Sequence, residues 1–242
     1  MAQTFKAAVL VEPGKPLEIY EIFKPELQFG QVLTQNRYSG ICRSQLMESI
    51  GARGEDKWLP HLLGHEGFGK VIEVGPGVTK VKVGDEVVVS WISGDGVSSG
   101  NPNLMSTGGT PINSGSSTTF SEISIVSENR VFIAPKGFDK YLLPLFGCAF
   151  LTGGGMVLST FKDVALKEDL KVLVLGFGGV GTSAALILHS FPNIDLTIVE
   201  SSDSRRELAS QLGFSKVISD LDFLTYGGSK FDYCFESAGP PK

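Results

Sequence analysis

Four residues of metal-ligating type stand far apart in the chain: Cys42 in "YSGICRSQ", the pair His65 and Glu66 in "LLGHEGFGKVIEVG", and Cys148 in "LFGCAFLTGGG". An isolated histidine is more often a satisfied structural residue than a ligand. Thiolate, imidazole, carboxylate and thiolate together form a plausible tetrahedral zinc set, with the carboxylate position able to yield to water or substrate. Cys42, His65, Glu66 and Cys148 are therefore the candidate metal residues, and Glu66 is also a candidate for catalysis. Spacing alone does not establish the set, because a fold must first bring its members together.

A second chemistry is written in "VLVLGFGGVGTSAALIL", where Gly176, Gly178 and Gly181 have GxGxxG spacing between an apolar strand and a helix. Gly176 permits the tight turn, Gly178 lets the backbone approach a pyrophosphate, and Gly181 lets helix and strand pack closely. The helix opening at about Gly179 offers unpaired amides and partial positive charge to the phosphates, so Gly179 joins the cofactor-binding candidates. Glu200 closes the next strand, where a carboxylate accepts from the adenosine ribose hydroxyls and repels a 2′-phosphate, favouring NAD over NADP. Arg205 and Arg206 could meet a phosphate, touch the ribose edge or lie on a solvated helix face.

The elements that must position these residues fall into two kinds. Up to about residue 90, short segments such as "FKAAVLV", "QVLTQNRYS", "GKVIEVG" and "DEVVVSW" alternate with turns and predict a compact β barrel or sandwich. Residues 93–119, almost wholly Gly, Ser, Thr, Asn, Pro and Asp, read as a loop before strands resume at "FSEISIV" and "RVFIAP". "LLPLFGCAFLTGGGMVLSTF" carries a helix running between two domains. Beyond it, apolar strands ("KVLVLG", "DLTIVE", "KVISD", "FDYCFES") alternate with helices, the pattern of βαβ units on a parallel sheet. The expected boundary separates residues 1–150 from 151–242.

With 242 residues, 42% of them hydrophobic, the chain can build real cores. A net charge of −5 with scattered Lys and Arg excludes a basic field, so nucleic acid is not an expected partner. No apolar run reaches membrane-spanning length and no leader is evident, which predicts a soluble cytoplasmic protein without a membrane partner. The three cysteines are odd in number and dispersed, as reduced thiols would be. Cys234, mid-strand in an apolar run, is expected in the core; His189 near a helix end serves the dipole; His61 is a lone histidine with nothing to pair it.

"GICRSQ", "GHEGFGKVIEVGPGVTKVKVGDEVV", "STTFSE", "GCAFLTGGG" and "GFGGVG" occur in the order seen in the zinc-dependent alcohol dehydrogenases of the medium-chain dehydrogenase/reductase superfamily, which the whole chain resembles. The resemblance implies a GroES-like β-barrel domain followed by a Rossmann domain, and hydride transfer between an alcohol or polyol and NAD, with zinc as Lewis acid. By motif, Cys42, His65 and Cys148 match the zinc positions and Glu66 the adjacent exchangeable carboxylate. Ser44 matches the hydroxyl that hands the substrate proton onward, and Arg43 the guanidinium on the cofactor pyrophosphate. Thr152 and Val180 match residues at the nicotinamide, and Glu200 the ribose-binding acid.

Three departures stand out. The stretch where many members hold a structural zinc with four cysteines, residues 91–119, has none, so one catalytic zinc is expected and no structural one. Gln45 replaces an acid that usually supports the zinc-bound histidine, and Met47 a histidine that finishes the proton relay; an amide at Gln45 could still hydrogen-bond the imidazole. The chain also stops after about four strands of a Rossmann sheet of six, which predicts a shortened chain, a homo-oligomer or a completing partner. The alternatives left open are a zinc-free NAD(P)H-dependent reductase of the same fold and a non-catalytic dinucleotide-binding fragment.

Overall fold

The structure is a computed structural model that describes residues 3–162, 169–225 and 230–239. The chain divides into two compact units, Met1–Cys148 and Ala149–Lys242. Among the described residues no helix is long and apolar enough to cross a membrane.

The first unit is built from β1 (Thr4–Leu10), β2 (Glu18–Phe23), β3 (Gln31–Ser39), α1 (Arg43–Ser49), β4 (His61–Leu62), β5 (Glu66–Val74), β6 (Glu86–Ser90), β7 (Leu104–Met105), β8 (Pro111–Ile112), β9 (Ile123–Ser127) and β10 (Val131–Ile133). Two sheets form, with strand orders β2-β1-β4 and β10-β6-β5-β3-β9, every pairing antiparallel. Side chains alternate across a strand, so Phe5, Ala7 and Val9 of β1 all point inward, onto Ile22, Leu33 and Ile125. A second core gathers Val32, Val71, Val87, Val89, Val126 and Val131 between the strands of the larger sheet. Residues 120–122 stitch the sheets together: the Ala8 amide donates to Phe120 and the Glu122 amide to Lys6, at 2.8 and 2.9 Å. This is the GroES-like barrel.

The second unit runs α2 (Ala149–Phe161), β11 (Leu170–Leu175), α3 (Gly179–His189), β12 (Ile194–Val199), α4 (Asp203–Gln211), β13 (Val217–Ile218), α5 (Asp220–Leu224) and β14 (Tyr233–Glu236). Its sheet is wholly parallel, in order β13-β12-β11-β14. The central strands are apolar because both faces are covered: Val172, Val174 and Ile198 are fully buried with Val157 and Phe161 of α2 and Ala184 and Leu188 of α3. It is a Rossmann-type βαβ arrangement.

Three expectations are corrected. The stretch 93–119 is not simply a loop: β7 and β8 pair as a hairpin, and their Leu104 and Ile112 enter the β1–β2 core. Each strand is two residues long, too short for alternation to show in the sequence. Cys234 is exposed; the period of two along β14 turns its neighbour Phe235 into the core instead. His61 has partners, in Asp56 and Glu48.

Candidate functional site

Cys42 is the N-cap residue of α1, with extended backbone, so it leaves the barrel just as the chain turns into the helix. His65 lies between β4 and β5. Cys148 ends a 3₁₀ turn, Leu143–Gly147, and is buried. A side chain at Gly147 would collide with the Val89 carbonyl oxygen and crowd Glu66, so glycine there allows Cys148 to approach the barrel. The Ser90 hydroxyl ties the same turn down, donating to the Gly147 carbonyl at 2.8 Å.

These segments bring one ligand atom each from Cys42, His65 and Cys148 to within 4.8 Å of one another. His65 Nε2 is buried and makes no hydrogen bond, which is costly for a polar atom unless something else occupies its lone pair. The Cys42 thiol is held down to about 3 by the Cys148 thiol first, then by the nearby His65 ring and by Ser44, together outweighing burial. A standing thiolate beside a second thiol and an imidazole whose Nε2 has no hydrogen-bond partner is the donor set zinc takes. The residues fit the metal.

Glu66 stands outside this trio. It is buried, and its carboxylate packs against Gly40, where a Cβ would overlap it; its backbone carbonyl accepts from the Gly40 amide at 3.0 Å and the Ser39 hydroxyl at 3.2 Å. Ser44 reaches Cys42 through both its amide and its hydroxyl. Arg43 is exposed at the start of α1. The Gln45 amide does not bond the imidazole: its oxygen accepts from the Gly64 amide and its nitrogen donates to Glu48 Oε2 at 3.2 Å. Gln45 thus positions the backbone just before His65 rather than the ring itself. A cavity of about 580 Å³ opens beside it, lined by His65, His61, Glu48, Trp58, Leu104 and Asn113 among others. Sequence reading missed the wall that the hairpin contributes.

In the second unit, the glycine loop joins β11 to α3. Gly176 has φ +87°, a left-handed conformation that favours glycine. At Gly181 a Cβ would stand on the Gly176 carbonyl and 2.6 Å from Ser237 Oγ, whereas one at Gly178 would meet nothing within 4 Å. Gly178 is the N-cap of α3 and supplies no side-chain cap, so the first-turn amides at Gly179 and Val180 face an open approach. These features fit a pyrophosphate. Thr152 on α2 and Val180 are half-buried.

Glu200 follows β12 and is buried. Its Oε2 accepts from the Phe177 amide at 2.7 Å and its Oε1 from the Ser202 amide at 2.9 Å, and Arg205 lies 3.8 Å away. Burial pushes its carboxyl up, but the Ser202 and Phe177 amides and Arg205 outweigh it and hold the group below its ordinary value. Oε1 also accepts from the Ser201 hydroxyl at 3.4 Å, so the further lone pair for a hydroxyl donor is on Oε2. Arg206 is spent on the carbonyls of Glu200 and Ser201, at 2.7 and 2.8 Å, and on Asp203.

Residues 28–136 match the alcohol dehydrogenase GroES-like domain. The class-3 alcohol dehydrogenase of Cereibacter sphaeroides is 31% identical, the match covering 98% of this chain and 72% of that protein. An alcohol dehydrogenase of Geobacillus stearothermophilus is 30% identical over 88% of this chain and 63% of its own length. Among solved structures, an alcohol dehydrogenase zinc-binding domain protein from Burkholderia ambifaria superposes on all of this chain and 72% of its own, with TM-score 0.84 and 25% identity. The chain belongs to the zinc-type alcohol dehydrogenase family of the medium-chain dehydrogenase/reductase superfamily. It spans between 63% and 72% of the length of these curated relatives.

Proposed function

We propose that the chain is an oxidoreductase acting on a small alcohol or polyol with NAD, and that Cys42, His65 and Cys148 hold one catalytic zinc. The observation that carries this reading is the convergence of two thiols and a buried, unbonded imidazole nitrogen within 4.8 Å. When bound, zinc supplies Lewis acidity to the alcohol oxygen and NAD the hydride acceptor.

The chain's own residues do the rest. Ser44, beside Cys42, carries a hydroxyl that donates and accepts at once and so can pass the alcohol proton onward. Glu66 is the carboxylate adjacent to the histidine ligand, available to exchange at the metal. Gly176, Gly178, Gly179 and Gly181 with the α3 amides receive the pyrophosphate, aided by Arg43, and Thr152 and Val180 flank the nicotinamide. Glu200 accepts from the ribose and disfavours a 2′-phosphate, with Arg205 limiting the charge of that corner.

Replacing the metal with cobalt tests the centre, because a thiolate-bound cobalt ion shows strong charge-transfer absorption. The expected result is a thiolate band that Cys42→Ser abolishes. A protein that binds NAD but shows no thiolate-bound metal would instead be the zinc-free reductase.

A further inference from the structure

The stretch "STTFSE", residues 117–122, supplies none of the candidate ligands, yet its Thr119 meets the two segments that carry Cys42 and His65. Thr119 is 2% exposed. Its amide and that of Phe120 both donate to the Leu63 carbonyl at 3.1 Å. Its side chain occupies the room left by the glycines on either side of the His65–Glu66 pair. A Cβ at Gly64 would stand 2.5 Å from Thr119 Oγ1, and one at Gly67 2.8 Å from its Cγ2. Gly64 has φ +88°, so the turn into His65 bends around this side chain.

The hydroxyl makes a further link. Thr119 Oγ1 lies 2.7 Å from Ser39 Oγ, and the Glu66 carbonyl oxygen is 3.3 Å from the first and 3.2 Å from the second. Each hydroxyl has one proton and also accepts. If Ser39 donates to Thr119, Thr119 donates to Glu66; if Thr119 donates to Ser39, Ser39 donates to Glu66. Either order joins all three residues. The Gly40 amide completes the group, donating to the same carbonyl at 3.0 Å. Ser39 ends β3 three residues before Cys42, and Glu66 directly follows His65.

We propose that Thr119 is a positioning residue for the metal centre: one side chain anchors the backbone ahead of Cys42 and the backbone on both sides of His65, so that two ligands from distant segments keep a fixed separation. The inference rests on the reading of Cys42, His65 and Cys148 as metal ligands.

Cobalt titration of the whole metal-free chain, followed by absorbance and paired with urea melts, tests it. Thr119→Val keeps the shape and loses the hydroxyl. It should bind thiolate-ligated cobalt about tenfold more weakly, the lower end for loss of an outer hydrogen bond at a metal site, because Ser39 can still donate to Glu66. Its d–d bands, which report ligand geometry, should also shift. Thr119→Ser keeps the hydroxyl and should retain wild-type affinity and bands even where the urea midpoint falls. If Thr119→Val lowers the urea midpoint but binds cobalt with wild-type affinity and bands, the residue is structural only and the proposal is overturned. Equal losses of affinity in Thr119→Val and Thr119→Ser overturn it as well. Should Thr119→Val fail to fold, Ser39→Ala cuts the same link from β3 and should show the same loss; unchanged affinity there is also a refutation. A wild type that binds no thiolate-ligated cobalt removes the metal reading itself, and this proposal with it.

Discussion

Gly178 and Gly181 sit in the same loop, three residues apart, yet alanine at each should fail in opposite ways. Gly178 has φ −78° and ψ −171°, which any residue adopts, and a Cβ there meets no atom of the protein within 4 Å. Reduced freedom of the unfolded chain favours the alanine by about 0.4–1 kcal/mol, and poorer N-capping opposes it by a similar amount. Stability should therefore change by less than about 1 kcal/mol. The new methyl does occupy the space left for a pyrophosphate, and NADH affinity should fall at least about tenfold, or about 1.4 kcal/mol. At Gly181 the methyl meets the Gly176 carbonyl and Ser237, so α3 must move off β11. Overpacking of this kind costs about 1–3 kcal/mol. Urea denaturation and NADH fluorescence titration separate the two effects. A Gly178→Ala protein that binds NADH as tightly as the wild type would refute the placement of the cofactor phosphates, and an unshifted urea midpoint for Gly181→Ala would refute the packing argument.

Glu200→Ala should weaken NAD more than NADP and, by freeing the Phe177 amide, destabilise the second unit by about 1–3 kcal/mol; an unchanged cofactor preference in paired titrations removes Glu200 from the ribose. Glu128 is fully buried and accepts from the amides of Thr79, Lys80 and Val97 at 2.5, 2.6 and 2.7 Å. Burial pushes its carboxyl up, but those three amides and Lys80 outweigh it and hold the group below 4.5. Its stabilisation is then complete above pH 4.5 and lost as pH falls through the lower folded value. Glu128→Gln, which turns an amide donor toward one of these N–H groups, should cost about 1.5–3 kcal/mol at pH 7. The gap from wild type should close below pH 4.5 in urea melts; a gap independent of pH contradicts the ionised assignment.

The two-part architecture was legible because each half follows one simple rule. Alternation along β1 and continuous apolarity along β11 report, respectively, a strand covered on one face and a strand covered on both. The glycine loop was legible because its requirements are local, all lying between one strand and the next helix. Gathering Cys42, His65 and Cys148 is a property of the fold, and only the ordered motifs pointed to it. Residues with non-local partners stayed hidden. His61 meets Glu48 from α1, a helix of seven residues with no side-chain cap and no acidic first turn to announce it. Gln45 looked like a partner for the imidazole because its type permits it, and the fold spends both ends of its amide elsewhere.

The β7–β8 hairpin gives the barrel unusual latitude on one wall of its cavity. Leu104 and Ile112 anchor it in the hydrophobic core, and backbone bonds tie it down at both ends, from the Thr107 amide to Glu21 of β2 and between Asn113 and Leu62, while Thr107 to Gly109 are exposed. Side-chain drift at Gly108, which bears on no core residue, leaves those anchors undisturbed. Met105 and Pro111 line the cavity from the same hairpin and are exposed, so their side chains can vary without touching the core. The shape of that wall can thus change at two side chains while the backbone that carries them stays fixed to the barrel.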